Sequence, residues 1–117
     1  MTQQPDLHVD TWLTLPQVAD QLHVSASKVR QMVRDHELAM VRREGSREPE
    51  IPAGFIQGGA VVKGLLGTLT LLVDHGFSDA EAIEWLLTPD DSLPGSPIDA
   101  LRENRGREVH RRAQVIT

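Results

Sequence analysis

Half of the positive charge of the chain lies between Val24 and Glu48. This segment contains six of the twelve Lys and Arg residues, against four acidic residues. Residues 1–23 contain three Asp and no Lys or Arg, and the six bases after residue 48 face ten acids. Guanidinium, ammonium, amide and hydroxyl groups concentrated in this way can bind phosphates and the edges of bases. The segment therefore predicts a nucleic-acid-binding surface, although the net charge of the whole chain is −5.

The polar residues of this segment share one face of a predicted helix. The helix runs from about Ser25 to Asp35, and Ser25 is a favourable N-cap. At about 100° per residue, Val29, Met32 and Val33 cluster on one side of it. The opposite side is polar and mostly basic. The alternative to a binding function is an ordinary amphipathic helix whose solvated face happens to be basic.

Six residues on and beside the polar face are candidate DNA contacts. They are Ser25, Ser27, Lys28, Arg30, Gln31 and Arg34. The cationic side chains could reach phosphates or base edges, and the two hydroxyls could bond a phosphate near the helix N-terminus. Arg30 lies well inside the helix, where two hydrogen bonds to guanine are feasible, and Gln31 could read adenine in the same way.

A capping box predicts another helix immediately before this one. Thr14 supplies the capping hydroxyl, Pro16 lies in the first turn, and Gln17 follows Thr14 by three residues. The apolar residues that recur at helical spacing are Leu15, Val18, Ala19 and Leu22. Two short helices joined by a tight turn form a helix-turn-helix, whose second helix can enter a major groove.

The residues after the helix pair predict a small β-hairpin. Leu38–Arg43 suits a short strand, and a polar turn surrounds Gly45. Pro49–Pro52 could return as an edge strand, since its two prolines exclude a central position. Such a hairpin is a wing, whose candidate contacts with the DNA backbone or minor groove are Arg42, Arg43 and Arg47. The alternative is solubilising charge, with Glu44 and Glu48 as local partners.

The second half of the chain predicts a helical module. Gln57–Gly59 has the composition of a joint, and the apolar residues from Val61 to Val73 predict a helix that stops at Gly76. A second capping box at Ser78 opens a helix that ends before Pro89. Residues 88–97 are rich in turn formers.

A last helix is predicted from about Ile98 to Ala113, and Gly106 could split it in two. The predicted fold class is mainly α: a winged helix-turn-helix with a small two-stranded wing plus a C-terminal helical module. The predicted organisation is a flexible lead-in, a winged-helix domain and a helical domain, at residues 1–11, 12–57 and 58–117.

Several function classes lack support in the sequence. There is no Cys, and the five His are scattered without a zinc-ligand spacing, so neither a metal site nor a cofactor is expected. No phosphate-cradling loop or nucleophile elbow is present, so we expect neither an enzyme nor a small-molecule substrate. The start of the chain lacks a secretory signal, and the apolar stretch Gly64–Val73 is too short to cross a bilayer. We therefore expect a cytoplasmic, nucleoid-associated protein.

These motifs carry a resemblance to known families. Thr14–Ser25, continuing through Val29 into Leu38–Val41, resembles excisionase and MerR-type winged helix-turn-helix domains. The whole stretch from Trp12 to Gln114 is similar to a family of small actinobacterial winged-helix DNA-binding proteins, best known from mycobacteria. The resemblance implies a partner, double-stranded DNA, and a transcriptional regulator or nucleoid-associated factor that acts by occupancy. The long dimerising helix of MerR regulators is not visible, so their effector sensing is not implied.

The second half leaves an alternative function open. The Trp85-Leu86 pair and the helix start at Pro97 faintly resemble the C-terminal domain of Xre/ParS-type antitoxins. Residues 60–117 could then bind a protein partner or a second copy of the chain, with Trp85 and Leu86 as candidate contacts. Exposed apolar area around Leu86, Leu87 and Leu93 would favour this adaptor function. A further hypothesis is phosphorylation in the lead-in, at Thr2 or Thr11.

Overall fold

The computed structural model describes residues 11–93 and 95–116. Within them lie six α-helices and four short strands, which confirms the mainly helical class. In chain order these are β1 (Trp12–Thr14), α1 (Leu15–Leu22), α2 (Ala26–Arg34), β2 (Glu50–Pro52), β3 (Ile56–Gln57), β4 (Ala60–Val61), α3 (Leu65–Asp74), α4 (Asp79–Leu87), α5 (Pro97–Arg102) and α6 (Gly106–Gln114). The predicted lead-in, including Thr2, lies outside the described residues except for Thr11, which is exposed.

Both helices of the predicted helix-turn-helix form, and side chains cap each of them. At the start of α1 the Gln17 amide donates to Thr14 Oγ1 (3.4 Å), and the Thr14 amide donates to Gln17 Oε1 (2.8 Å). His23 ends α1 in the left-handed region at φ 60°. Two residues later Ser25 Oγ accepts the Lys28 amide at 3.0 Å and opens α2. Each such cap stabilises a helix by about 1 kcal/mol, so the local sequence fixes the turn between the helices.

The sheet beside the helix pair differs from the predicted hairpin. Strand β2 pairs antiparallel with β1, in the register Trp12↔Pro52 and Thr14↔Glu50. The predicted strand Leu38–Arg43 is wrong: only Val41 bridges to Glu50, through two amide–carbonyl bonds of 2.9 Å each. Leu38 and Ala39 are each 1% exposed, so both side chains enter the core and the alternation of a strand is lost.

Strand β2 pairs with β1 in a two-stranded sheet, so the predicted edge strand is confirmed. One isolated bridge adds Val41 on the other side of Glu50. The prolines at 49 and 52 flank this position, so the amide of Glu50 remains available to Val41 and the pairing on this side is limited to one residue.

The predicted joint is a β-hairpin. Strands β3 and β4 pair antiparallel, with Ile56 opposite Val61 and Gln57 opposite Ala60. The two residues between them, Gly58 and Gly59, have φ values of +62° and +79°. Positive φ at both central positions is the requirement of the tight hairpin turn that matches strand twist. The predicted helix from Val61 is therefore wrong in its start, and α3 begins four residues later at Leu65.

The remaining helices follow their sequence signals. Helix α3 ends at Asp74, ahead of Gly76, and the Ser78–Glu81 capping box opens α4. The last predicted helix is split into α5 and α6, and α6 begins at Gly106. None of the helices in residues 11–93 and 95–116 has the length and apolar character that crossing a bilayer requires.

Both halves of the chain contribute to one buried core. Phe55 and Ile51 from the first half and Leu65 and Leu86 from the second are fully buried in the same cluster. Polar contacts cross the boundary as well, since Arg102 Nη1 donates to the carbonyls of residues 54 and 56 at 2.8 and 2.9 Å. The surface of α2 is therefore presented on a body that includes the C-terminal helices.

Gly64, the residue before α3, gives a test of this packing. Its φ is +90°, and an added Cβ would lie 2.9 Å from Leu101 Cδ2. Replacing Gly64 by Ala should destabilise the protein by about 1–3 kcal/mol in urea unfolding, from backbone strain plus overpacking. The control is Gly45→Ala, whose φ is +84° with nothing within 4 Å, and which should lose only the strain part. Equal losses for the two variants would show that the Leu101 contact does not matter.

Candidate nucleic-acid interface

Helix α2 has an exposed polar face, and its opposite, apolar face is buried. Ser27, Arg30, Gln31 and Arg34 follow one another at i, i+3, i+4 and i+7, so they share one side of the helix, and all are exposed. At 1.5 Å per residue they extend over about 10 Å, the length of roughly three base-pair steps. The opposite residues are Val29, 0% exposed, and Met32 and Val33, each 8% exposed.

Helix α2 therefore has the shape and chemistry of a helix that enters a major groove. Lys28 extends the polar front on one side and is exposed. Ser25 is partly committed, because its oxygen accepts the Lys28 amide. Its hydroxyl proton can still be donated to a phosphate at the helix N-terminus, where the helix dipole favours an anion.

Five of the predicted cationic contacts are free of ion pairs among residues 11–93 and 95–116. They are Lys28, Arg30, Arg34, Arg42 and Arg47. An exposed cation without a carboxylate partner can meet a phosphate without breaking an existing interaction. These five side chains are therefore available to an anionic partner.

The wing is a loop rather than a two-stranded hairpin. Residues 42–49 lie between Val41 and Glu50, whose two hydrogen bonds close its base. Inside it the Ser46 amide donates to the Arg43 carbonyl at 3.0 Å, and Ser46 Oγ donates to the Glu48 carbonyl at 2.9 Å. The loop is thus held from within, and it presents the exposed side chains of residues 42 and 47.

Arg43 differs from the other predicted contacts because it is bound to the sheet. Its Nε donates to Glu50 Oε1 at 2.8 Å, and its guanidinium lies 4.7 Å from the centre of the Trp12 ring. The predicted local partners were Glu44 and Glu48, whereas the partner of Arg43 is Glu50. The pairing of β1 with β2 brings Glu50 to Arg43, and sequence periodicity does not indicate that pairing.

The comparisons with known proteins address the same two halves. Residues 5–56 match the family model described as "DNA-binding protein Rv2175c, wHTH domain", and residues 62–117 match "Rv2175c C-terminal domain of unknown function". A relative in Mycobacterium tuberculosis (strain ATCC 25618 / H37Rv), "DNA-binding protein Rv2175c", is 45% identical over 115 residues, which cover 87% of this chain and 77% of that protein. The chain belongs to the Rv2175c family.

A solved structure of the Rv2175c family has the same fold. The NMR structure of Rv2175c superposes with a TM-score of 0.80 at 42% identity, covering 96% of this chain and 82% of that chain. The predicted winged helix-turn-helix fold and the resemblance to a mycobacterial-type family are thereby confirmed. The family description assigns no function to the C-terminal half.

The candidate partner contacts in that half are not both on the surface. Leu86 is 0% exposed and belongs to the core, so the prediction that it touches a partner is corrected. Leu87 and Leu93 are 5% and 7% exposed, so the apolar surface that would favour an adaptor is closed. Trp85 is half-buried and lines a groove of about 340 Å³ with four neighbours, Phe77, Glu81, Glu84 and Thr88.

The titratable residues do not gather into a further chemical centre. Among the described residues no group of three or more His, Asp or Glu side chains could hold a metal ion. The pKa of Asp90 is lowered because the side chain and backbone of Ser92 both donate hydrogen bonds to its carboxylate. This pair lies in the turn after α4, where Arg112 also donates to Ser92, and it orders that turn.

Proposed function

We propose that this member of the Rv2175c family binds double-stranded DNA with α2 in the major groove and the loop 42–49 on the neighbouring backbone. The observation that carries the proposal is the exposed face of α2, where Arg30, Gln31 and Arg34 stand together with no carboxylate partner among residues 11–93 and 95–116. The name of the Mycobacterium tuberculosis relative, a DNA-binding protein, supports the same conclusion. The resulting role is a transcriptional regulator or nucleoid-associated factor that acts by occupying its site.

The side chains divide into those that position the protein and those that read bases. Lys28 and Arg34 on the helix and Arg42 and Arg47 on the wing contact phosphates, which fix register but carry no sequence information. Arg30 and Gln31 point from the middle of α2 to the groove floor, where guanine and adenine present matching pairs of hydrogen-bonding groups. A reading window of about three base pairs follows from the length of this face.

The acidic residues around the interface set its strength. Asp35 and Glu37 follow α2, and Glu44 and Glu48 lie in the wing. Their repulsion of phosphates opposes the attraction of the unpaired cations, in a chain whose net charge is −5. We therefore expect modest affinity that depends steeply on ionic strength.

A salt series on a mixed-sequence duplex tests the proposal. Fluorescence anisotropy gives the binding constant at each salt concentration. Three to five phosphate contacts predict that log K falls with log [salt] with a slope of about −3 to −4.5. A slope near zero, or no binding at low salt by protein whose circular dichroism is native, would contradict the proposal.

The two neighbouring wing arginines should behave differently. Arg42→Ala should leave stability within about 0.5 kcal/mol of the wild type, yet weaken duplex binding and make the salt slope shallower by about 0.9, the loss of one phosphate. Arg43→Ala removes a half-exposed ion pair and a cation–π contact, so it should cost about 1 kcal/mol in thermal unfolding. If Arg43→Ala kept full stability and lost more affinity than Arg42→Ala, this division would be wrong.

A secondary proposal is that a protein partner binds in the groove beside Trp85. The groove beside Trp85 carries two glutamates and two aromatic rings, a combination suited to a cationic side chain. Size-exclusion chromatography with light scattering tests self-association through this groove: a dimer that Trp85→Ala abolishes would support it, and a monomer unaffected by concentration would count against it.

A further inference from the structure

The C-terminal helices form an open cleft of about 470 Å³ at the point where α3 and α6 begin. Gly64 and Gly106 come together there: a Cβ built on Gly64 would lie 3.9 Å from the Cα of Gly106. The charged side chains that line the cleft are those of Lys63, Arg105, Arg107 and Glu108. Its volume falls in the range of small-ligand sites, about 300–1,000 Å³.

The lining of the cleft is positive in a protein that is negative overall. Three cations and one carboxylate give it a local charge of +2, against −5 for the whole chain. Lys63 and Arg107 are exposed and have no ion pair within the part of the chain that the structure describes. Arg105 meets Glu103 and Glu108 at 3.7 Å each, which are long contacts between half-exposed groups. Lys63 and Arg107 thus remain as two cations without a described carboxylate partner, whose charge an anionic ligand would offset.

Backbone amides add to the positive potential of the cleft. Helices α1, α2, α4 and α5 each begin with a Ser or Thr whose oxygen accepts an amide of the first turn. Helices α3 and α6, the two that begin at the cleft, have no such side-chain cap within the described residues. The amides of Leu65 and Glu108 donate to the carbonyls of Val62 and Arg105 at 3.1 Å each. The amides of Gly106 and Arg107, which line the cleft, make no backbone hydrogen bond in this part of the chain and are left for water or a ligand.

The floor of the cleft is fixed by close packing. His110 lies 3.0 Å from the Gly64 carbonyl through Nε2, and its ring covers Gly67, where a Cβ would lie 2.9 Å from Cε1. Leu101 closes the other side of Gly64. Close packing thus positions Gly64 and the ring of His110, which both line the cleft beside the cationic side chains.

We propose that this cleft binds a phosphate group. Lys63 and Arg107, which have no ion pair among the described residues, and the first two amides of α6 form the donor set that phosphate oxygens prefer. The phosphate could belong to the backbone of the bound duplex or to a separate phosphorylated molecule. The first source rests on the function proposed above, and the second does not.

The position of Lys63 in the chain favours the duplex backbone as the source. Gly59, four residues earlier, lies against the C-terminal end of α1: its Cβ would be 3.6 Å from the Gln21 carbonyl. Four residues span at most about 14 Å, so Lys63 stays close to the helix-turn-helix. A second contact with the same duplex would place the C-terminal half on DNA beside the winged helix.

Inorganic phosphate is the first probe, with the full chain and constant ionic strength. Backbone amide NMR signals of residues 63–67 and 105–108 should shift and saturate. Lys63→Gln and Arg107→Gln should each weaken the apparent affinity at least fivefold. Arg111→Gln is the matched control, since Arg111 is exposed one turn further along α6 and outside the cleft. Equal effects of Arg107→Gln and Arg111→Gln would show that phosphate interacts with diffuse surface charge and not with the cleft. That result would overturn the proposal.

Duplex binding in a salt series then identifies the source of the phosphate. If the backbone enters the cleft, Arg107→Gln makes the salt slope shallower by about 0.9 while Arg111→Gln leaves it unchanged. An unchanged slope together with saturable phosphate binding assigns the cleft to a separate phosphorylated ligand. No saturable shift and no change in slope overturn the proposal. If the wild type binds no duplex at all, the proposed function fails, and the phosphate titration alone decides for or against the cleft.

Discussion

Replacing Arg30 by Ala should weaken duplex binding by about tenfold to a hundredfold, the largest effect expected of any single change in the interface. Arg30 is exposed near the middle of α2, and no carboxylate among the described residues holds it. A bidentate arginine–guanine contact contributes about 1–3 kcal/mol of discrimination between bases. Its loss should lower affinity and also flatten the preference for one base pair in a site-selection experiment.

Two measurements separate this effect from a general loss of charge. Anisotropy titrations at one salt concentration compare Arg30→Ala with Arg111→Ala, which removes the same charge from an exposed position on α6. Urea unfolding should give both variants the stability of the wild type, since neither side chain has a partner in the described structure. If Arg111→Ala lost as much affinity as Arg30→Ala, α2 would not be the reading helix.

Replacing Arg102 by Met should destabilise the protein by about 3 kcal/mol. Arg102 Nη1 donates to two carbonyls, those of Gly54 and Ile56, from the end of α5. A hydrogen bond from a charged donor contributes about 1.5–3 kcal/mol, and the change leaves both carbonyls without this partner. Methionine retains most of the apolar stem of arginine, so the loss reports on the polar contacts. A fall in Tm of roughly 10 °C or more is expected.

The matched control for this prediction is Arg111→Met. Arg111→Met is the same substitution at an exposed position, so the free energy of unfolding should change by no more than about 0.5 kcal/mol. A loss below about 1 kcal/mol for Arg102→Met would show that water replaces the guanidinium at both carbonyls. The guanidinium of Arg102 would then add little to the apolar core that joins the two halves.

Local signals in the sequence were sufficient for the helices. Thr14, Ser25 and Ser78 each cap the helix that they were predicted to open, and Gly76 and Gly106 lie at the predicted interruptions. These signals work because the groups that satisfy one another are three residues apart or fewer. The polar face of α2 was predictable for the same reason, since it needs only helical periodicity.

The strands depended on partners that are far apart in the chain. Trp12–Thr14 pairs with a segment nearly forty residues later, as the register Thr14↔Glu50 shows. The sequence of a three-residue strand is too short to predict a partner so far along the chain. Because that pairing was missed, so was the ion pair of Arg43 with Glu50. The hairpin at Gly58 and Gly59 carried a usable signal, two glycines between short apolar segments, which was interpreted as a joint.

The same reasoning explains why the cleft did not emerge from the sequence. Lys63 and Arg107 are more than forty residues apart, and each alone is an unremarkable surface base. Only the contact of Gly64 with the start of α6 brings them to one concave surface. The proposed phosphate cleft therefore depends on tertiary structure.

The most direct test of DNA binding by the winged helix is to map a short duplex onto the protein by backbone amide NMR. The account predicts that the largest shifts fall on residues 25–35 and 42–49, with the signals around Trp85 unchanged. Shifts confined to the groove beside Trp85, with α2 unaffected, would contradict it and make the C-terminal half the binding surface.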